Sequence, residues 1–198
     1  MDTLKAIRKR RSVRSFAQDP IDTQVLAELV DAARLAPSGA NMQPLEYVVV
    51  TEPELREQVF DCLKWAAYTT PRGTPDETHR PTAYVAMCVR QECLASVGSD
   101  YDLGAAAATL CILAVDQGLG SCWLKNINYP KVTKLLNLPE GLKLDSIIAL
   151  GKPAEEPIQV DLKPGDTGKE VIRYWRDEAD QQFVPKRALE GILHWERY

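Results

Sequence analysis

The sequence predicts a single domain in which helices and strands alternate and the strands lie in a sheet covered on both faces. Residues 82–90 run Tyr84, Val85, Ala86, Met87, Cys88 and Val89 almost without a polar break, and residues 144–150 read the same way. A strand with one solvent face alternates apolar and polar residues, so an unbroken apolar run marks a strand buried on both sides. The third observation is the stretch 101–123, YDLGAAAATLCILAVDQGLGSCW, whose uncharged part, 103–115, is apolar on every side and alanine-rich in its first half. That run is far shorter than the ~20 residues needed to cross a bilayer. It reads as a buried central helix or as half of a subunit interface.

A chain of 198 residues is long enough for one full hydrophobic core, and no repeat, low-complexity tract or linker divides it. The net charge of -4 is spread along the chain, which gives no field for nucleic acid or an anionic membrane surface. Residues 1–7 lack the apolar core of a signal peptide, so the expectation is a cytoplasmic protein. The 5 cysteines lie mostly in apolar segments and read as reduced, packed thiols, while the 2 histidines, His79 and His194, stand apart from them. No metal site is expected.

Residues 3–9 form a short amphipathic helix, with Leu4 and Ile7 opposite Lys5, Arg8 and Lys9. It leads into Arg10, Arg11, Ser12, Val13, Arg14, Ser15 and Phe16, where guanidinium forks and hydroxyls alternate with apolar residues. Such a segment suits an oxyanion, although on its own it also reads as a solvated basic patch. Asp22 or Thr23 caps a helix through 25–34. The loop 36–44 stops it with two prolines and carries Ser38, Asn41 and Gln43, whose side chains could read the edge of a polar heterocycle or serve simple turn chemistry. A strand follows at 46–50. Thr51 and Glu54 fit a capping box for a helix reaching residue 67, with Leu55, Val59, Leu63 and Trp65 inward. Residues 69–81 are polar and proline-broken and read as a mobile flap.

Ser99 or Asp100 caps the central helix, and Gly118 and Gly120 together read as its stop. A short helix at 129–136 and the strand 144–150 come next, the strand ending at Gly151, Lys152 and Pro153. Residues 154–183 are polar and acidic, with a turn at 163–166 and an amphipathic piece at 171–175. A helix at 189–195 closes the chain. No GxGxxG follows the first strand and no GxxxxGK[ST] occurs, which argues against a nucleotide-binding α/β fold of the Rossmann or P-loop kind.

Five segments in order, RRSVRSF, AARLAPSGANMQP leading into YVVV, DLGAAAATLCILAVDQGLGSCW, IIALGKP and PKRALEGILHWERY, resemble the FMN-dependent nitroreductase family over nearly the whole chain. The resemblance implies an α+β fold, a mainly antiparallel sheet flanked by helices in an intertwined homodimer, with FMN in each of two interface clefts. Carried over by motif, Arg10, Ser12 and Arg14 would hold the FMN phosphate and ribityl, Arg14 reaching the pyrimidine side, with Arg11 as a neighbouring candidate. Pro37, Ser38, Asn41 and Gln43 would line the flavin across the interface. Lys186 and Arg187 would return to the phosphate. Leu124, Lys125 and Asn126 match the position whose backbone N–H groups face the reactive flavin nitrogen, where many members have glycine. The shortened 69–81 region and the long 154–183 segment depart from the pattern, and the latter is expected to wrap a partner subunit or cover the cleft.

The implied activity is ping-pong hydride transfer from NAD(P)H through the flavin to a nitroaromatic, quinone or activated alkene. No catalytic side-chain dyad or triad is visible, and none is needed where the cofactor carries the chemistry. The alternatives are an FMN-binding sensor or carrier without turnover, and a related flavin chemistry on the same scaffold.

Overall fold

The computed structural model describes residues 1–93 and 99–198. Helices α1 (Thr3–Lys9), α2 (Thr23–Arg34), α3 (Pro53–Phe60), α4 (Ser99–Asp116) and α5 (Tyr129–Leu135) surround a sheet built on β5 (Leu142–Pro153). One edge of β5 pairs with β3 (Ala83–Arg90), which pairs in turn with β2 (Leu45–Val50). Its other edge takes β4 (Gly120–Leu124) and then β1 (Phe16–Ala17), and every pairing in this sheet is antiparallel. The fold is α+β.

The unbroken apolar strands divide their side chains between two cores, as the period of two requires. Tyr84, Ala86, Cys88, Ile147 and Ala149 pack with residues of α3 and α5. Val85, Met87, Val89, Ile148 and Leu150 pack against Leu26 and Leu29 of α2 and Leu103, Ala107 and Leu110 of α4. Both faces are covered, which explains the absence of a polar alternation in β3. No described helix is long and apolar enough to cross a membrane.

Helix α4 ends in a Schellman motif. Gly118 sits at φ +76°, its N–H donates to Val115 O at 3.1 Å, and the Leu119 N–H donates to Ala114 O at 2.7 Å. Gly120 is not part of this stop. It opens β4, a strand too short and too mixed in composition to stand out in the sequence. Nor does Gly151 end β5, which runs on to Pro153.

Other boundaries differ from the sequence reading for local reasons. Helix α3 stops at Phe60, because Leu63 bridges to Ile127 and the chain turns to strand-like pairing, although Leu63 and Trp65 are buried as expected. Its N-cap is Glu52, whose carboxylate accepts from the N–H groups of Glu54 and Leu55, in place of Thr51. The 69–81 region is pinned, since Arg72 donates to Asp177 O at 2.8 Å and Gly73 is buried against Ala66 and Thr69. Residues 154–183 contain β6 (Ile158–Asp161) and β7 (Trp175–Arg176), which flank β8 (Gln182–Lys186) in a second sheet. Residues 189–195 form only a short 3-10 turn, Leu189–Gly191.

Candidate functional site

After α1 the chain runs extended along the β4 edge. The Val13 N–H donates to Ser121 O at 2.9 Å, the Phe16 N–H to His79 O at 3.0 Å, and the Ala154 N–H to Ser15 O at 2.9 Å. Val13 and Phe16 point into the protein, and each rests on a glycine. A Cβ at Gly120 would come within 2.9 Å of the Val13 side chain, and one at Gly151 within 2.8 Å of the Phe16 ring. The arginine segment therefore lies at a depth that only glycine permits.

Arg11 is buried, and its guanidinium donates to Arg10 O and to Gln159 Oε1. Burial lowers its pKa first and the charge of Arg10 lowers it further, while Asp161 opposes both. Lys186 is the register partner of Asp161 between β8 and β6. Its pKa is also lowered, by burial and then by the charges of Arg10 and Arg11. Three cations thus gather from two distant parts of the chain around the Asp161 carboxylate, an excess of positive charge that a further anion would relieve.

Arg187 is engaged with the chain that follows it. Its Nη2 donates to Gly191 O at 3.0 Å, and it borders a cleft of about 360 Å³ with Gln159, Asp161 and Leu189. Arg14 lies with its guanidinium over the Tyr174 ring, 4.9 Å from the centroid, and its backbone N–H donates to Glu155 Oε1. The Nε of Arg14 is buried without a hydrogen-bond partner, as is the Nε of Arg11. Arg14 also opposes the strong burial effect that raises the pKa of the Cys122 thiol.

The loop after α2 is held in an uncommon conformation. Ala40, Asn41 and Gln43 have φ of 48°, 55° and 48°, values that cost L-residues free energy and need support from their surroundings. Ser38 Oγ accepts from the Gln43 N–H at 3.1 Å, and Asp102, in the first turns of α4, accepts from the Gly39 N–H at 2.9 Å. Pro37, Ser38 and Gln43 line a cleft of about 220 Å³ with Tyr47 and Asp102. It shares no lining residue with the cleft of about 630 Å³ that Arg11 and Val13 border. Within one chain the loop and the arginine segment are not brought together.

Leu124, at the end of β4, is buried opposite Ile147. Lys125 Nζ is drawn to Asp145 Oδ1 at 2.9 Å, which is the main cause of its raised pKa and takes the side chain away from its own backbone. Asn126 O accepts from the Lys64 N–H at 2.9 Å, and Asn126 borders a cleft of about 430 Å³ with Phe60, Trp65, Thr70 and Thr74. Arg80 is engaged with Glu57 and lies over the Phe60 ring at 4.2 Å.

Sequence reasoning missed Glu155, Gln159, Asp161, Tyr174 and Asp102. Of these only Asp102 left a signal, as an acid directly before the uncharged run 103–115. The others lie in the polar 154–183 stretch, where no periodicity separates structural from solvated groups.

The sequence model of the nitroreductase family matches residues 7–152. A Thermus thermophilus protein named NADH dehydrogenase is 29% identical over 185 residues, covering 79% of this chain and 89% of its own. A 5,6-dimethylbenzimidazole synthase of Rhodospirillum rubrum is 27% identical over 168 residues, covering 74% of this chain and 80% of its own. Among solved structures, a nitroreductase of Desulfovibrio desulfuricans in complex with FMN aligns at a TM-score of 0.66 with 22% identity, over 100% of this chain and 98% of its own.

Proposed function

The chain belongs to the nitroreductase family, and on that premise we propose that it is an FMN-dependent oxidoreductase working between NAD(P)H and a small-molecule acceptor such as a nitroaromatic, quinone or activated alkene. The observation that carries this reading is the excess of positive charge at Arg10, Arg11 and Lys186 over the Asp161 carboxylate, with the buried Nε of Arg14, three residues along, left without a hydrogen-bond partner. A phosphate would supply the further anion, by charge-assisted hydrogen bonds. The donor set fits FMN.

Arg10, Ser12 and Lys186 would hold the phosphate, and Arg14 the flavin's pyrimidine side. Arg11 is committed to Gln159 and would act chiefly through its charge, and Arg187 would have to leave Gly191 O to join them. The backbone at Leu124, Lys125 and Asn126 would face the flavin, with the Lys125 side chain held clear by Asp145. Bound FMN supplies two-electron redox chemistry that no side chain of this protein can perform. The protein's part is to fix positive charge and N–H dipoles where negative charge accumulates on reduction.

We place Pro37, Ser38, Asn41 and Gln43 at the flavin of a second copy, since their cleft and that of Arg11 are separate in one chain. Leu4 and Ile7 of α1 and Tyr101 of α4 are exposed apolar side chains that such a homodimer would cover. Cys62, Cys88, Cys111 and Cys122 are buried free thiols, in keeping with a reducing compartment such as the cytoplasm.

The visible spectrum of the purified protein, before and after anaerobic NADH or NADPH, tests the reading. Flavin absorbance that bleaches with either donor and returns with a quinone or nitro acceptor is the expected result. A colourless protein that gains no flavin spectrum on adding FMN would end it.

A further inference from the structure

We infer that the segment after residue 153 is a working part of the cofactor site, because Tyr174 and Glu155 set the position of Arg14. This rests on the reading of Arg14 as a flavin contact. The family match ends at residue 152, so both residues belong to a part of the chain that the family signature does not cover.

Two independent contacts converge on Arg14. Tyr174 places its ring face against the guanidinium, 4.9 Å from Cζ to the centroid, a distance at which the ring quadrupole attracts the cation. Glu155 Oε1 accepts the Arg14 backbone N–H, while Oε2 pairs with Arg176 Nη2 at 2.5 Å. The side chains of that pair are 10% and 4% exposed, so Glu155 has little freedom to move. Arg176 in turn donates to Asp180 O at 2.8 Å. Tyr174 also packs against Tyr68, whose ring lies 5.0 Å away at 56°, and Arg173 lies over Tyr68 at 5.4 Å.

A free arginine side chain samples many rotamers, and binding must then freeze them. Tyr174 does that for the guanidinium before the ligand arrives, and Glu155 fixes the backbone that carries it, which lowers the cost of association without adding a contact to the ligand. Tyr174 and Glu155 are thus positioning residues that act through Arg14. Because Tyr68, and Arg72 of the 69–81 region, touch the same segment, that region and the cofactor contact are joined through it.

The test is titration of apoprotein with FMN, followed by quenching of flavin fluorescence, for the wild type, Arg14→Ala, Tyr174→Phe, Tyr174→Leu and the double variant Arg14→Ala with Tyr174→Leu. Leucine keeps the apolar bulk and removes the π face, so the variant folds if packing is all that is needed. Expected is a loss of about ten-fold for Tyr174→Leu, within the range of a cation–π contact, and less than two-fold for Tyr174→Phe. In the Arg14→Ala background the leucine substitution should cost nothing more. Equal losses in both backgrounds, or no loss with Tyr174→Leu while Arg14→Ala binds weakly, would overturn the inference alone. Unchanged affinity in Arg14→Ala would remove the reading of Arg14 on which it rests.

Discussion

Gly120 and Gly151 are cross-strand partners in β4 and β5, and the side chains they lack leave the space that Val13 and Phe16 fill. The depth of the arginine segment is thereby fixed by two absences. Gly120→Ala should drive a methyl into Val13 at 2.9 Å and cost about 1–3 kcal/mol, the usual range for overpacking. Denaturant unfolding measures the loss, and FMN affinity should fall with it as Arg14 shifts. Adding Val13→Gly to Gly120→Ala removes all three Val13 carbons that stand 2.9 Å from the new methyl and should recover part of both, an outcome that a purely conformational role for Gly120 would not produce.

Asp102 supports the loop of Pro37, Ser38, Asn41 and Gln43 through one hydrogen bond from the Gly39 N–H, at 2.9 Å. Three non-glycine residues of this loop stand at positive φ, a shape that Asp102 supports together with Ser38 Oγ and with Arg90, whose Nη2 donates to Met42 O and Gln43 O at 3.3 Å. Asp102→Ala should cost about 1–3 kcal/mol, the range for stranding a part-buried donor, while Asp102→Asn keeps an acceptor and should cost less. Hydrogen exchange at the Gly39 amide reads the contact directly. Protection that survives in Asp102→Ala would show that another group holds the loop.

These two relationships also mark how far the sequence could be read. The buried strands were legible because residues 83–89 of β3 and 146–150 of β5 divide their side chains between two buried faces, and α4 because no charge interrupts residues 103–115. The arginine segment was legible from its chemistry. Its support was not. Gly120 looked like part of the helix stop that Gly118 performs alone, because a glycine required for close approach carries the same letter as one required for φ. Glu155 and Tyr174 matter only through where β5 delivers the chain after Pro153, a tertiary fact with no local pattern. The helix expected at 189–195 failed for a related reason, since its apolar residues Leu189, Ile192 and Leu193 remain exposed and have no core in one chain to pack on.

The lowered pKa of Lys186 gives a pH dependence with a definite sign. Its folded value lies below the ordinary 10.5 because of burial, Arg10 and Arg11, so in the ligand-free protein the charged ammonium opposes folding. Its stabilising contribution is present above the ordinary value and is lost as pH falls through the folded one. A bound phosphate reverses this by favouring the charged form. The rise in Tm on adding FMN should therefore be larger at pH 7 than at pH 10, and Lys186→Met should flatten the difference while raising the Tm of the ligand-free protein. A Tm shift that is the same at both values in the wild type would mean that Lys186 does not face the phosphate.

The outward side of α4 is where the proposed homodimer would form. Ala106, Ala107, Leu110 and Ala114 point into the core, whereas Tyr101, 82% exposed, shares the opposite side with Ala105, Ala108 and Ile112 at helical spacing. Small residues at 104, 105 and 108 let a second backbone approach, and Gly104 has nothing within 4 Å of where its Cβ would stand. Ala108→Glu adds a carboxylate that a lone chain can leave in water but an interface would have to bury unpaired. The variant should fold with unchanged circular dichroism and sediment as a monomer, where a dimer is expected of the wild type. FMN affinity should drop in parallel, because the loop at Ser38 and Asn41 is then missing from the neighbouring flavin. A dimer that persists in Ala108→Glu would move the interface off α4, and a monomer that keeps full FMN affinity would show that one chain completes the site alone.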